Sequence, residues 1–416
     1  MRLKSKPGIL IKILLILLIF WGLYTPVANL IGPVFSSLLF CVIDIVLLFY
    51  LIFSNMGINK ILQKTHVLDL LIAIFIASVY VAFRSAFSGN EIRIFQNLQI
   101  QVQIIYFFEL LIIMHYRFKY SKMEIMAFFL NAALIQGIIA ILMLLIPTLH
   151  NVALNLYYAG ATENTFISAK RIYGLSSEYT FTTPIVNGIF ATIAVFLSLK
   201  KSTLYLLYLP ITLLLVLLNG RTGLVVFGVA SLIIILKNSR KIGSVIGILL
   251  MTSLGICIVF YLLSIVSPNT YAWVVSFFSD TSNLLQGQAT GNYSELGMQF
   301  PTHNILFGYG FRIYNLGSIV TDININQRSD IGYANDLFLG GILYLLLLYV
   351  PIFCYVLMSE GESNYFQHTG WSLVLVLALI IADYKGETMR NGNLLLLVIT
   401  MAILIRMPEK EYESNE

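Results

Sequence analysis

Long stretches without charge dominate this sequence and leave it few folds to choose from. Apolar runs lie near 9–24, 34–54, 67–83, 98–116, 123–146, 184–199, 203–218, 224–237, 242–266, 336–358, 369–381 and 393–406. A helix needs about 20 mostly apolar residues to cross the hydrocarbon core of a bilayer. Backbone in lipid must satisfy its own hydrogen bonds, which leaves helices or a closed barrel. The runs are continuous rather than alternating, which selects helices. Composition excludes the soluble alternative. Charged residues make up 11% of the 416 and hydrophobic residues 58%, whereas a soluble domain carries roughly 25% charged residues. So few charges cannot coat a water-facing surface of this size. The expected fold is all-α: one polytopic membrane domain over 1–416 with about twelve transmembrane helices, or eleven if one short run is not a span.

The basic residues set the expected orientation, because lysine and arginine collect in cytoplasmic loops. Twelve spans put both termini on one side. That side gathers 16 of the 25 basic residues, including Arg2, Lys4, Lys6, Lys60, Lys64, Lys122, Lys200, Lys201, Lys237 and Arg406. It should be cytoplasmic, with the apolar run after Gly8 an uncleaved first helix. The opposite side holds Arg84, Arg93, Lys170, Arg171, Arg221, Arg312, Arg328, Lys385 and Arg390. Seven of these nine are arginine, against four of sixteen inside. Topology does not demand that bias. Arginine presents a planar, permanently charged fork that grips phosphate with two hydrogen bonds. The outer arginines therefore fit a phosphate-bearing ligand, unless they pair with carboxylates such as Glu178 and Asp330. The net charge of +5 is no nucleic-acid signal in this setting.

Two outer loops are long, 147–183 and 267–335. The second is rich in amide and hydroxyl side chains and carries Tyr271, Trp273, Tyr309 and Tyr333. Loops of that length usually carry function, and aromatic faces beside amides suit sugar rings, as they would suit an interfacial belt. Cys41, Cys257 and Cys354 lie inside apolar runs and the five histidines are scattered. Neither pattern suggests a disulfide framework or a metal site. Asp44, Asp69 and Glu109 fall within apolar runs, where an ionisable group is a functional candidate; Asp69 lies near a run end, which leaves Asp44 and Glu109.

Four outer segments hold most of the chemistry. They are Lys170-Arg171-Ile172-Tyr173-Gly174 running on to Glu178, the turn Asn219-Gly220-Arg221-Thr222-Gly223, Phe307-Gly308-Tyr309-Gly310-Phe311-Arg312, and Ser329-Asp330 through Asn335-Asp336. A fifth, Asp383-Tyr384-Lys385-Gly386-Glu387, follows. In this order the set resembles the O-antigen and capsular polysaccharide polymerases of the Wzy-dependent pathway, and is similar to the related O-antigen ligases. The resemblance implies a membrane-embedded, GT-C-like glycosyltransferase in the bacterial inner membrane. It would be inverting and metal-independent, without a cofactor. Its substrates would be undecaprenyl-diphosphate-linked glycans, both donor and acceptor, with a chain-length regulator protein as a candidate partner. Ligases tend to carry His-Asn where this chain has Asn335-Asp336, which favours the polymerase.

The departing diphosphate develops charge as the glycosidic bond breaks, and fixed cations at low dielectric stabilise it. Arg171, Arg221 and Arg312 suit that role by position, each also suiting that of an interfacial anchor. Lys385 and Tyr333 join them as substrate-binding candidates. An acceptor hydroxyl needs a base or an orienting group; the candidates are Asp330, Asp336, Glu178 and His303. Asp336 also reads as a helix N-cap. The rival from another class is a lipid-linked oligosaccharide flippase, which should show broken helices or an internal repeat. No repeat is visible, and the long outer loops favour the enzyme. A Ser282→Cys variant, with the native cysteines replaced, should react with an impermeant maleimide added outside intact spheroplasts. Reaction only after permeabilisation would reverse the orientation.

Overall fold

The computed structural model describes residues 7–408 apart from 55–57, 87–90, 158–170, 179–181, 240–241, 287–300, 302, 313–330, 362, 364 and 391. Among the described residues every regular element is helical. In chain order these are α1 (Ile9–Tyr24), α2 (Ala28–Ile31), α3 (Pro33–Phe53), α4 (Ile58–Thr65), α5 (Val67–Ser85) and α6 (Arg93–Ile112), which runs into a wider turn at Ile113–Arg117. Then follow α7 (Lys122–Leu145), α8 (Pro147–Tyr157), α9 (Thr182–Lys200), a 3₁₀ turn at Thr203–Tyr208, α10 (Leu209–Asn219), α11 (Thr222–Asn238) and α12 (Ile242–Val266). Last come α13 (Pro268–Leu285), α14 (Gly332–Leu357), α15 (Trp371–Lys385) and α16 (Asn393–Arg406).

Each of the twelve apolar runs lies in a helix. Seven are long and apolar enough to cross a membrane: Val34–Phe53, Val67–Ser85, Arg93–Arg117, Lys122–Leu145, Thr182–Lys200, Ile242–Val266 and Gly332–Leu357. The protein is thus a multi-pass helical membrane protein. Ile9–Tyr24, Thr203–Asn219, Thr222–Asn238 and Asn393–Arg406 are apolar but shorter. Every residue of α16 is buried. At 1.5 Å per residue its 14 residues reach only about 21 Å. A helix wrapped on all sides by protein has no lipid to match. α3 and α12 are the opposite case, with Val34, Val46, Leu249 and Leu250 all exposed. Apolar side chains facing outward are what a lipid solvent selects.

The helices sort their ends as an alternating chain must. At one end Lys122 Nζ donates to the Ile405 carbonyl, the Tyr355 hydroxyl to Thr65 O, and Asn238 Nδ2 to Thr369 O. At the other, Ser177 N donates to Tyr24 O, Arg84 to Phe307 O, and Arg93 to Met389 O. The first end carries Lys122, Lys237 and Arg406, and the second the arginines expected to lie outside.

Two features depart from the sequence reading. Both long segments expected outside contain helix, α8 in the first and α13 in the second, each opening on a proline, whose fixed φ suits a first turn. And α14 is broken. Gly341 has φ +67° and ψ −167°, a region essentially reserved for glycine. A side chain there would collide with the Leu306 backbone. The segment 305–310 fills the break: Tyr309 N and Gly310 N donate to Phe338 O and Leu339 O, and Ile342 N and Leu343 N donate to Ile305 O and Leu306 O. The Tyr80 hydroxyl takes Gly340 O. Non-helical backbone at membrane depth survives only when protein satisfies it in this way.

Candidate functional site

The arginine-rich end is built around a buried ionic network. Arg93 opens α6 and has no exposure. Its guanidinium donates to Asp336 Oδ2 at 2.7 Å and to Met389 O at 2.9 Å, and faces Glu387 at 3.6 Å. Glu387 also binds Arg312, whose Nε donates to Glu91 Oε1 at 2.9 Å. The Tyr349 hydroxyl lies 2.8 Å from both Asp336 Oδ2 and Asp383 Oδ2. One O–H serves one carboxylate at a time, so the two acids share it. Burial pushes the Glu387 carboxyl up, but Arg312, Arg93 and Arg390 outweigh it and hold the group below the ordinary glutamate range. Asp383 Oδ1 accepts from Thr388 N at 2.9 Å, and a side chain at Gly332 would strike that carboxyl. The network thus ties the starts of α6 and α14, the end of α15 and segments 386–390 and 305–312 into one unit.

A second cluster is cationic. Arg171 and Arg221 lie over the Trp273 ring, 5.0 and 5.2 Å from its centroid. Lys385, closing α15, sits within electrostatic range of both. Like charges gather only where packing compels them or an anion repays them. Local sequence explains the placement of each. Gly223 allows α11 to start against Pro184, and a side chain there would overlap the Pro184 carbonyl, so Arg221 is held at the mouth of α9. Arg171 begins an extended segment, 171–178, pinned by Gln136. That amide donates to Tyr173 O at 2.8 Å and accepts from Leu175 N at 3.2 Å. Gly174, at φ +69°, gives it room.

The same segment runs from the cation cluster to a cavity. This space of about 560 Å³ lies between α1, α2, α3, α6 and the start of α16. Glu178 and Arg390 line it, paired at 3.9 Å. Burial pushes the Glu178 carboxyl above its ordinary range, and Arg390 offsets this in part. Glu178 O accepts from Thr183 Oγ1 at 3.4 Å, and Pro184 lies against Gly220 beside Arg221. One helix terminus therefore separates the carboxylate from the cations. Around it Thr182 Oγ1, both amide atoms of Asn187, Asn219 Oδ1 and Asn393 Oδ1 are buried without a partner. Buried polar atoms left unpaired cost about 1–3 kcal/mol each, so such a concentration marks a place shaped for something polar.

The candidates from the sequence do not gather at one place. Arg171, Arg221 and Lys385 come together, while Arg312 is drawn into the carboxylate network instead. Asp336 is not an N-cap. The helix begins at Gly332, four residues before it, with Ile331 at the cap, because Arg93 offers Asp336 a stronger partner than free backbone N–H groups. Tyr333 donates its hydroxyl to Ile380 O at 2.6 Å and braces α15. His303 is exposed beside the turn that enters the α14 break. Asp330 lies outside the described residues, as do Lys170 and Arg328. Glu178 does not meet Arg171; its ion-pair partner is Arg390. Glu91 and the amides Gln96, Gln99 and Gln103 escaped the sequence reading. Their signal was present: four glutamines and an asparagine crowd residues 96–103, at the head of an apolar run where polar groups are expensive.

Comparison with protein-family models, with curated proteins and with solved structures finds no match.

Removing one partner from a buried ion pair costs about 3–5 kcal/mol, whereas replacing both with apolar groups is often neutral. Asp336→Leu should therefore sharply lower the thermal unfolding midpoint in detergent. The double variant Arg93→Met/Asp336→Leu should recover part of it. Equal loss in both would mean that the pair holds no coupled energy.

Proposed function

We propose that this chain is a membrane-embedded glycosyltransferase that polymerises undecaprenyl-diphosphate-linked repeat units at the outer face of the bacterial inner membrane. The observation that carries the reading is the convergence of Arg171 and Arg221 on Trp273, with Lys385 in electrostatic range of both. Three cations there match a diphosphate in charge, and two are arginines able to grip its oxygens in pairs. The ordered motifs that resemble the polysaccharide polymerases supply the substrate class.

In this mechanism the donor diphosphate lies on the cation cluster. A hydroxyl of the acceptor glycan attacks the anomeric carbon from the face opposite the diphosphate. The new glycosidic bond forms as the bond to the phosphate oxygen breaks, and configuration inverts. The electron pair leaves with undecaprenyl diphosphate, whose growing charge Arg171, Arg221 and Lys385 stabilise. Glu178 takes the proton of the attacking hydroxyl. It is the candidate base that faces a cavity, whereas Asp336 is spent on Arg93 and Tyr349. Burial raises the proton affinity of Glu178 above that of an ordinary glutamate, which suits a proton acceptor.

Transport is the second reading, favoured by the break in α14, since broken helices mark many transporter sites. The backbone groups at this break, however, are bonded to 305–310 and Tyr80. A transporter would need them for its cargo. The ligase reading loses ground because the position of the family's His-Asn holds Asn335, whose amide donates to Ile331 O, and the ion-paired Asp336.

Removing a single donor to a developing oxyanion costs about 10²–10³ in rate. Arg171→Ala and Arg221→Ala should each lose that much in an assay with purified lipid-linked repeat units, at normal protein levels. Lysine replacements should restore only part. Normal polymer from both alanine variants would reduce these residues to anchors and end the reading.

A base must be deprotonated to act, so kcat/KM should fall as pH drops through the raised Glu178 value. Arg390→Ala removes the charge that offsets burial and should move this acidic limb to higher pH. Glu178→Gln should abolish both the limb and most of the rate. An acidic limb unmoved by Arg390→Ala would take Glu178 out of the proton transfer.

A further inference from the structure

The cavity beside Glu178 is lined by none of the three clustered cations and is not needed to bind a diphosphate. Its inner wall carries amides. Gln103 is 4% exposed and Asn393 2%, and the amide oxygens of both are without a partner, as is that of Gln96. All three line the cavity together with Glu178. Each amide can donate through its NH2 and accept through its oxygen, and Glu178 and Arg390 on the same wall add one charge of each sign. An apolar ligand would leave these groups unpaired. A ligand with several hydroxyl groups, each both donor and acceptor, suits that mixture. The outer rim is different. Val34, Leu38 and Phe95 line the mouth between α3 and α6 and are 69%, 56% and 65% exposed. Side chains of that kind on a membrane helix face acyl chains. The space therefore opens sideways into lipid and grows polar inward. Its volume of about 560 Å³ falls within the roughly 300–1,000 Å³ of small-molecule sites.

From this gradient we infer that the cavity is the acceptor subsite: a hydroxyl-rich sugar headgroup, still attached to its lipid, enters between α3 and α6 and lies against Gln96, Gln103 and Asn393. The inference rests on the glycosyltransferase reading and extends it by giving donor and acceptor separate doors. Glu178 stands on the inner wall, where a sugar hydroxyl would arrive, and the 171–178 segment continues from it to the donor cations. The chemistry of the wall is shared by a lipid-linked glycan and by a glycerol-headed phospholipid, which the test must separate.

Phe95 replaced by p-benzoylphenylalanine puts a photo-crosslinker at the mouth, and the same replacement of the exposed Phe75 on α5 is the control. Irradiation in cells that make lipid-linked repeat units should yield, at position 95 alone, an adduct with the mass of the glycolipid. It should vanish in cells that make none. Gln103→Leu and Asn393→Leu should each reduce the adduct about three- to tenfold, the loss expected for one neutral hydrogen bond. Gln103→Leu removes an amide whose oxygen is buried unpaired, whereas Asn393→Leu also removes the donor to Thr183 Oγ1, so the thermal unfolding midpoint is measured for both and Gln103→Leu decides if Asn393→Leu fails to fold. With purified protein the same variants should raise the KM for the acceptor and leave kcat unchanged. Phospholipid adducts alone at position 95, or glycolipid capture undiminished by either leucine variant, would overturn the proposal. If glycolipid is captured as described while Arg171→Ala polymerises normally, the cavity stands and the catalytic reading falls.

Discussion

Arg93 is the point from which the arginine-rich end is organised. It has no exposure, and it reaches Asp336 on α14, Glu387 after α15 and the Met389 carbonyl from one guanidinium. A charge in such a place is tolerable only when paired and hydrogen-bonded. The pairing is therefore not an ornament on a finished bundle. Folding α14 and α15 anywhere else would leave a buried cation unpaired. By fixing where α15 ends, the network also fixes Lys385, and with it the third member of the cation cluster. By fixing 386–390 it sets Arg390 beside Glu178. Two groups of opposite chemistry thus inherit their positions from one buried ion pair, although neither touches it.

The division of labour among arginines follows from what surrounds each. Arg93 and Arg312 are enclosed with Glu91, Asp336 and Glu387, and their charge is consumed locally. Arg171 and Arg221 lie over the Trp273 ring as well, an aromatic face that attracts a cation.

The helical class was legible in the sequence, because lipid allows few ways to satisfy a backbone; of the twelve expected spans, seven are helices long and apolar enough to cross a membrane. The loop chemistry was half legible. Arg171, Arg221 and Lys385 could be picked out as cations on one face, and they do assemble. Arg312 looked equivalent, and nothing local betrays that Glu91 and Glu387 claim it, since those partners lie about 221 and 75 residues away. Asp336 looked like a cap because Asp before an apolar run is a capping signal; the helix starts earlier, and only tertiary contact with Arg93 reveals why. The cavity was the least visible feature. Its amides were spread over the head of a run whose apolar neighbours, Leu98, Ile100 and Val102, made it read as a plain span.

The filled break in α14 makes residues 305–310 part of the helix they join. They complete its hydrogen bonding, so a single insertion there would unpair backbone at membrane depth. Arg312, two residues further on, is held by Glu91, and Gly332, where α14 begins, packs against Asp383. Chain length in 305–312 is therefore set twice over, once by a helix that needs its carbonyls and amides and once by a buried charge that needs its partner.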